Sequence, residues 1–116
     1  MDVFFADDCS LPGKREGMGE IVCFGGILVP EEALHPLAEG TRTIESDYGI
    51  PAGTEIKWSP PRKNWIHSNL VGASRTDCYQ QILQLATELN IKAVVTAWDT
   101  GRTTLKGQDA FEKCIT

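Results

Sequence analysis

The sequence predicts an α/β fold in which helices pack against a mixed sheet. Apolar and β-branched stretches alternate with amphipathic stretches along the 116 residues, in the order strand, strand, helix, strand, helix, strand and the start of a helix. Short connections together with right-handed crossovers are expected to give a compact layered arrangement. A chain of this length is enough for one hydrophobic core, so residues 1–116 are expected to form a single domain.

Two strands are predicted first. Residues 2–6 are aromatic and β-branched and lead into the turn DDCSLPG, whereas EIVCFGGILVP is a nearly continuous apolar run. Such a run suits a strand covered on both faces, or a central strand with a bulge at Gly25 and Gly26, where another backbone comes close. At a sheet edge the same strand would favour pairing between chains, which makes an oligomerising structural domain one interpretation of the sequence.

Two amphipathic stretches predict helices. EEALHPLAEGTRTIESDYG has two acids in its first turn and apolar residues at helical spacing, and an irregular first turn is expected at Pro36. Ser74 is the predicted N-cap of the second helix, because an acid three residues later approximates a capping box, and Asn90 closes it. Both helices are expected to cover the sheet.

Two further strands and a final helix complete the predicted order. TEIKW is a candidate short strand before the proline-rich, basic loop SPPRKNW, and IKAVVTAW is a strand that ends at Asp99. The last stretch, QDAFEKCIT, begins a helix inside which the chain stops. Because natural domains seldom end within an element, the chain is expected to be an N-terminal fragment of a longer protein.

Composition predicts a cytoplasmic protein. The chain is 41% hydrophobic and 23% charged, which is typical of soluble globular proteins. No apolar run approaches the roughly 20 residues that span a bilayer, and the start MDVFFADD lacks the positive flank of a signal peptide, so no membrane is expected as a partner. Four cysteines form no C-x-x-C pair and are expected to be free thiols in a reducing compartment: Cys9, Cys23, Cys78 and Cys114.

Charge is unevenly distributed along the chain. A net charge of -5 counts against a nucleic-acid partner, because phosphate binding depends on lysine and arginine. Residues 56–76 nevertheless contain no Asp or Glu, and they hold the basic residues Lys57, Arg62, Lys63 and Arg75. This segment suits an anionic ligand held at one place, although an exposed loop whose charges only solvate it explains the same pattern.

Three tryptophans have two interpretations. Trp58 and Trp65 flank the basic SPPRK stretch, and Trp98 lies near the end of the last predicted strand. Exposed indole rings stack on nucleic-acid bases, whereas buried rings cap a hydrophobic core. The sequence pattern is consistent with either role.

Three acids stand at the ends of predicted strands: Asp7, Glu55 and Asp99. Ligands collect beyond the carboxyl ends of strands in open α/β sheets, so these side chains are expected to converge. Converging carboxylates repel one another unless a cation lies between them, and oxygen ligands suit Mg²⁺ or Mn²⁺. Such ions support hydrolysis of a phosphodiester, with Lys57, Arg62 and Lys63 holding the phosphate backbone. Solvated strand ends are the alternative, because acids are common there.

The order of four motifs, FADDCS, CFGGILVPEE, EIKW and IKAVVTAWD, resembles the N-terminal part of the DUF3800 family. The resemblance spans nearly the whole chain. The first family motif usually reads Asp-Glu-Ser-Gly, so DDCS keeps the first Asp and a second acid but differs at both small positions. The resemblance implies an RNase H-like mixed sheet with flanking helices, and a missing C-terminal part that carries another acidic motif in family members.

The resemblance also implies a function, that of a Mg²⁺- or Mn²⁺-dependent nuclease or phosphodiesterase acting on nucleic acid. Asp7 matches the family's first-strand Asp and Asp99 matches the acid closing the fourth strand, which makes both direct metal ligands. Glu55 matches a Glu before the third strand's basic position and completes the catalytic set as a third or outer ligand. Asp8 matches the second acid and lies outside the direct ligands. The alternative is a non-catalytic interaction module of the same fold in a phage-defence or mobile-element complex, with a protein partner or a second copy of the chain.

Overall fold

The computed structural model describes residues 1–102, 109, 112 and 113. The chain divides into two compact units, which we call unit 1 (Met1–Val29 with Lys92–Thr116) and unit 2 (Pro30–Ile91). The predicted α/β composition is confirmed, because the described residues form one three-stranded antiparallel sheet together with helices. The helix predicted from QDAFEKCIT, with Cys114, lies mostly outside the described residues.

Unit 1 contains the sheet. Its strands are β1 (Asp2–Leu11), β2 (Ile21–Pro30) and β3 (Lys92–Asp99), in the spatial order β1-β2-β3. β2 pairs antiparallel with β3 without interruption, from Ile21 opposite Asp99 to Leu28 opposite Lys92. The strands in the described part of the chain all run antiparallel to their neighbours, so the expected mixed sheet is not found among them.

Two expectations about the strands are corrected. β1 continues through most of the predicted turn DDCSLPG and ends at Leu11 rather than Ala6, because this stretch pairs with β2. β2 is the central strand of the described sheet, so its backbone faces a strand on both sides and the idea that it forms a free edge is wrong. The outer strands β1 and β3 expose apolar side chains, among them Phe5 and Val95.

Gly25 and Gly26 lie where the backbones of the outer strands approach β2. A Cβ atom on Gly25 would lie 2.7 Å from the Val94 carbonyl oxygen, and one on Gly26 would meet the Phe5 carbonyl oxygen. The predicted close approach of another backbone is therefore confirmed. The register with β3 is continuous, so a bulge is wrong for the β2–β3 pair.

Unit 2, which is described throughout, contains the helices α1 (Leu34–Asp47), α2 (Trp65–Asn69) and α3 (Ala73–Glu88). An irregular turn is found, but it lies before Pro36 and not around it: a 3₁₀ turn spans Glu31–Ala33, and Pro36 itself is in the first turn of the regular helix α1. Gly49 follows α1 with a φ of 69°, and Asn90 follows α3 with a φ of 56°. Left-handed residues therefore end both long helices, and the prediction that Asn90 closes α3 is confirmed.

The helix α2 is not among the predicted elements, and α3 begins before the predicted cap. Asn64 caps α2, because its Oδ1 accepts the Ile66 N–H at 2.9 Å. The sequence pattern predicts no helix here, and these residues are expected to be part of the basic loop that begins with SPPRKNW. Gly72, with a φ of 60°, holds the N-cap position of α3. The helix consequently begins at Ala73, and Ser74 lies in its first turn instead of capping it.

The segment TEIKW is not a strand, which corrects the prediction for Glu55. Two of its backbone carbonyl oxygens accept hydrogen bonds from side chains and not from a neighbouring strand. Asn64 Nδ2 donates to the Glu55 carbonyl oxygen at 2.8 Å, and the Tyr79 hydroxyl donates to the Lys57 carbonyl oxygen. These two hydrogen bonds hold the segment against α2 and α3, both within unit 2.

The core of unit 2 is built from its helices and the turn after α1. Its buried members are Ile44, Ile50, Ile66, Leu70, Cys78 and Tyr79. α1 packs on α3, where a Cβ atom on Gly40 would lie 2.7 Å from Leu85 Cδ2. This close helix contact explains why a glycine is accommodated inside α1 despite its low helix propensity.

We expect the free energy of unfolding to fall as the pH rises above 9.0. Burial raises the pKa of the Cys78 thiol above its ordinary value of 9.0, with a further contribution from Glu45, and burial also raises the pKa of Tyr79. The folded state therefore holds these protons more tightly than the unfolded chain. Their contribution to stability is complete below the unfolded pKa and is lost as the pH rises through the folded pKa.

Urea unfolding followed by circular dichroism at a series of pH values between neutrality and the ordinary tyrosine pKa checks this expectation. Cys78→Ala should lose part of the alkaline decline. Cys9→Ala is the matched control, since Cys9 is exposed, and it should keep the full decline. A free energy of unfolding that does not change across this range would contradict the assignment.

Candidate functional site

Asp7 lies inside β1 and not at its end, because the strand continues to Leu11. Its side chain is exposed, and its Oδ1 accepts the backbone N–H of Asp8 at 2.9 Å. Asp8 is exposed as well. The expectation that Asp7 closes the first strand is therefore wrong, while its role as a metal ligand stays a prediction.

Asp99 ends β3, as expected, and its carboxylate is firmly held. Oδ1 accepts the backbone N–H of Gly101 at 2.8 Å and that of Gly19 at 3.1 Å. Oδ2 lies 3.4 Å from Nε of Arg102, whose side chain is mostly exposed, so this ion pair contributes little. The carboxylate thus ties the turn after β3 to the loop before β2.

A second set of contacts reinforces this connection, which we call the Asp99 clasp (Gly19, Glu20, Asp99, Thr100 and Gly101). Thr100 is buried, and its backbone N–H and hydroxyl both donate to the Glu20 carbonyl oxygen, at 3.0 and 2.6 Å. The two glycines pack backbone to backbone, since a Cβ atom on Gly19 would lie 2.7 Å from the Gly101 Cα. These contacts give Asp99 a structural role within unit 1.

Asp7 and Asp99 lie on the two outer strands of one sheet, with β2 between them. Because their strands are two strand spacings apart, their Cα atoms are separated by at least roughly 10 Å, and any displacement along the strands increases this distance. The two N–H groups occupy the lone pairs of Asp99 Oδ1, so Oδ2 is the oxygen left for a cation. Among the described residues, no three His, Cys, Asp or Glu side chains form a group that could hold a metal ion. The described residues therefore do not complete a metal site by themselves.

The third predicted acid, Glu55, belongs to unit 2 and pairs with a neighbour there. Its Oε1 lies 3.4 Å from Lys57 Nζ, and both side chains are largely exposed. Such a pair is weak, but it offsets the charge that Lys57 was expected to offer a phosphate. Arg62 and Lys63 are exposed and make no ion pair within the described part of the chain.

The three tryptophans have different environments. Trp65 packs against the core of unit 2, so for Trp65 the core-capping interpretation is confirmed. Trp98 is partly buried, and its Nε1 is buried with no hydrogen-bond partner in the described residues. Trp58 is 78% exposed. Of the three, Trp58 has the exposure that stacking on a ligand requires.

Beside Trp58 lies a cavity of about 440 Å³ that sequence reasoning did not predict. Besides Trp58, it is lined by residues of α3: Arg75, Thr76, Tyr79, Gln80 and Leu83. Their spacing of three and four residues places them on one side of a helix, which was the available signal in the sequence. The link from that helix face to Trp58 depends on a tertiary contact between Tyr79 and the 55–58 segment, which no local pattern indicates.

Comparison of the chain with family models, with curated proteins and with solved structures returned no match. The DUF3800 resemblance therefore stays a prediction that depends on the four short motifs. In the part of the chain that the structure describes, no helix combines the length and apolarity needed to cross a membrane.

Proposed function

We propose that this chain binds single-stranded nucleic acid through unit 2. The observation that carries the proposal is the exposed Trp58 ring within residues 56–76, a segment that has basic side chains and no carboxylate. Proteins that bind single strands combine exposed aromatic rings, on which bases stack, with basic side chains that follow the phosphates. Binding without hydrolysis shares the lack of catalysis with the interaction-module alternative, but its partner is a nucleic acid and not a protein or a second copy of the chain.

The basic side chains of the segment differ in their availability. Lys57 is paired with Glu55, and Arg75 uses Nε and Nη2 to bind backbone carbonyl oxygens. Arg62 and Lys63 are exposed and have no such partner among the described residues, so they are the side chains assigned to phosphate contacts. Because the whole chain carries a net charge of -5, we expect moderate affinity that depends strongly on salt.

Replacing Arg62 and Lys63 together by alanine is expected to weaken binding of a single-stranded oligonucleotide. Loss of two phosphate contacts should also reduce the slope of log K against log salt concentration by about 1.4, since each contact on a single strand contributes about 0.7. Fluorescence anisotropy of a labelled oligonucleotide, measured in EDTA at several salt concentrations, gives both quantities.

The matched control is the double variant Arg15→Ala with Arg42→Ala, which changes the net charge equally at exposed arginines outside the segment. The control should keep the wild-type slope. Equal losses in the two double variants would show that only net charge matters, and would contradict a phosphate-binding role for Arg62 and Lys63.

Metal-dependent phosphodiester hydrolysis is a second candidate function. It is favoured by the anchored carboxylate of Asp99, whose Oδ2 accepts no backbone N–H and has only the exposed Arg102 side chain, 3.4 Å away, as a partner that a cation would have to displace. With Asp7, which belongs to the same unit, it would supply the two direct ligands that the DUF3800 resemblance implies, and a bound Mg²⁺ or Mn²⁺ would supply an activated water. Because the described residues do not complete such a site, binding is the better supported function.

A further inference from the structure

The cavity beside Trp58 combines an apolar wall with polar groups. Trp58, Tyr79 and Leu83 form its apolar part, and Arg75, Thr76 and Gln80 bring polar atoms. Its volume of about 440 Å³ lies within the range of small-ligand pockets. Since all six residues belong to unit 2, the cavity is formed within one compact unit.

Trp58 is positioned although it is exposed. The Tyr79 hydroxyl donates to the carbonyl oxygen of Lys57, the residue before Trp58, and the Trp58 and Tyr79 rings lie with centroids 5.6 Å apart at an interplanar angle of 38°. Tyr79 itself is buried in the core. The indole ring is therefore placed by a fixed neighbour and still offers most of its surface to a ligand.

Arg75 supplies fixed hydrogen-bond donors. Its Nε donates to the Leu70 carbonyl oxygen at 2.7 Å, and its Nη2 donates to the carbonyl oxygens of Ile66 and His67 at 3.1 and 3.2 Å. These bonds hold the planar guanidinium against the end of α2. Its Nη1 makes no hydrogen bond to the described residues, so two N–H groups are left for a ligand.

The charges around the cavity favour an acceptor-rich ligand. Among the described residues, those that line the cavity carry no carboxylate. Gln80, whose side chain makes no hydrogen bond to them, adds an amide that can donate or accept. Asp77 is the nearest acid along α3, and it lines a neighbouring cavity with Tyr48 and Gln84 that shares Gln80 with the cavity beside Trp58. A ligand with a flat aromatic face would match the apolar wall, and hydrogen-bond acceptors on the edge of the same ligand would match the polar groups.

We propose that the cavity formed by Trp58, Tyr79, Leu83, Arg75 and Gln80 binds one unpaired nucleobase of a single-stranded nucleic acid. The base stacks on Trp58, and the Arg75 Nη1 and Gln80 side chains meet its edge. This inference rests on the proposed function and adds to it a pocket for the base, separate from the phosphate contacts of Arg62 and Lys63. A free nucleotide offers the same base chemistry, so the test includes both sources.

The experiment compares three probes in EDTA: a ten-nucleotide oligothymidylate, an abasic strand of the same length, and thymidine monophosphate. We expect the oligothymidylate to bind the wild-type chain and quench its tryptophan fluorescence, and the abasic strand to bind more weakly. Trp58→Leu should weaken oligothymidylate binding by roughly 5- to 150-fold, the range for loss of one base–aromatic stack, and leave abasic binding unchanged. Trp58→Phe is the matched variant that keeps an aromatic face, and it should retain most of the affinity.

The outcomes separate this inference from the proposed function. Equal binding of both strands, or no effect of Trp58→Leu, overturns the base pocket while nucleic-acid binding stands. Quenching by thymidine monophosphate without binding of either strand supports the pocket and overturns the single-strand proposal. No binding of any probe overturns both.

Discussion

Asp99→Ala is expected to destabilise the protein by about 2–4 kcal/mol, because it leaves the N–H groups of Gly19 and Gly101 without their shared acceptor. The partly buried N–H of Gly19 costs about 1–3 kcal/mol when it has no acceptor, and the exposed N–H of Gly101, which water can satisfy, adds the net loss of one hydrogen bond, about 0.5–1.5 kcal/mol. Asp99→Asn keeps an oxygen that accepts both bonds and removes only the charge, so it should cost about 1 kcal/mol. Urea unfolding followed by circular dichroism measures both values.

The same two variants distinguish the clasp from a metal site. If Asp99 acts only in the clasp, calorimetric titration with Mn²⁺ should show no heat of binding for the wild type or for Asp99→Asn. If Asp99 is a ligand, the wild type should bind Mn²⁺, and Asp7→Asn combined with Asp99→Asn should abolish that binding while the fold persists. Equal stability of Asp99→Ala and Asp99→Asn would contradict the clasp.

Ile66→Ala is expected to destabilise the protein by about 2–5 kcal/mol, the range for removing a large aliphatic side chain from a core. Ile66 is fully buried and is part of the core of unit 2. It lies in α2, whose end provides the carbonyl oxygens that hold Arg75. Oligonucleotide binding should therefore weaken as α2 loosens, which anisotropy measures beside the urea unfolding curve.

Val71→Ala is the matched control for Ile66→Ala. Val71 follows α2, is more than half exposed, and lines neither the core nor the cavity beside Trp58. Its truncation should change the free energy of unfolding by no more than about 0.5 kcal/mol. A similar loss in both variants would mean that the packing of α2 does not stabilise unit 2.

Local patterns predicted the elements whose signals lie within a few residues. The strand at the apolar run of β2, the strand at the β-branched run of β3 and the end of α3 at Asn90 are all confirmed. The extension of β1 was not predicted, because a charged stretch such as DDCSL becomes a strand only when it pairs with β2. TEIKW contains β-forming residues, but its backbone carbonyl groups accept hydrogen bonds from the Asn64 and Tyr79 side chains instead of pairing with a strand.

In the candidate site, too, local features were predictable from the sequence and features that depend on tertiary contacts were not. The acid-free basic segment was visible in the sequence, and so was the helical spacing of Arg75, Tyr79 and Leu83. Strand order could not be deduced, and it determines that β2 separates Asp7 from Asp99. The exposure of Trp58 also follows from tertiary structure, since Trp65, in the same basic region, packs against the core.

The proposal of nucleic-acid binding by unit 2 is tested most directly by amide and indole NMR shifts of the ¹⁵N-labelled chain during addition of oligothymidylate in EDTA. The expected result is a set of shifts in the Trp58 indole N–H and the amides of Lys63, Arg75 and Gln80, with Asp99 and Gly101 unaffected. Shifts confined to the Asp99 clasp, or the absence of any shift at a concentration of strand well above that of the protein, would contradict it.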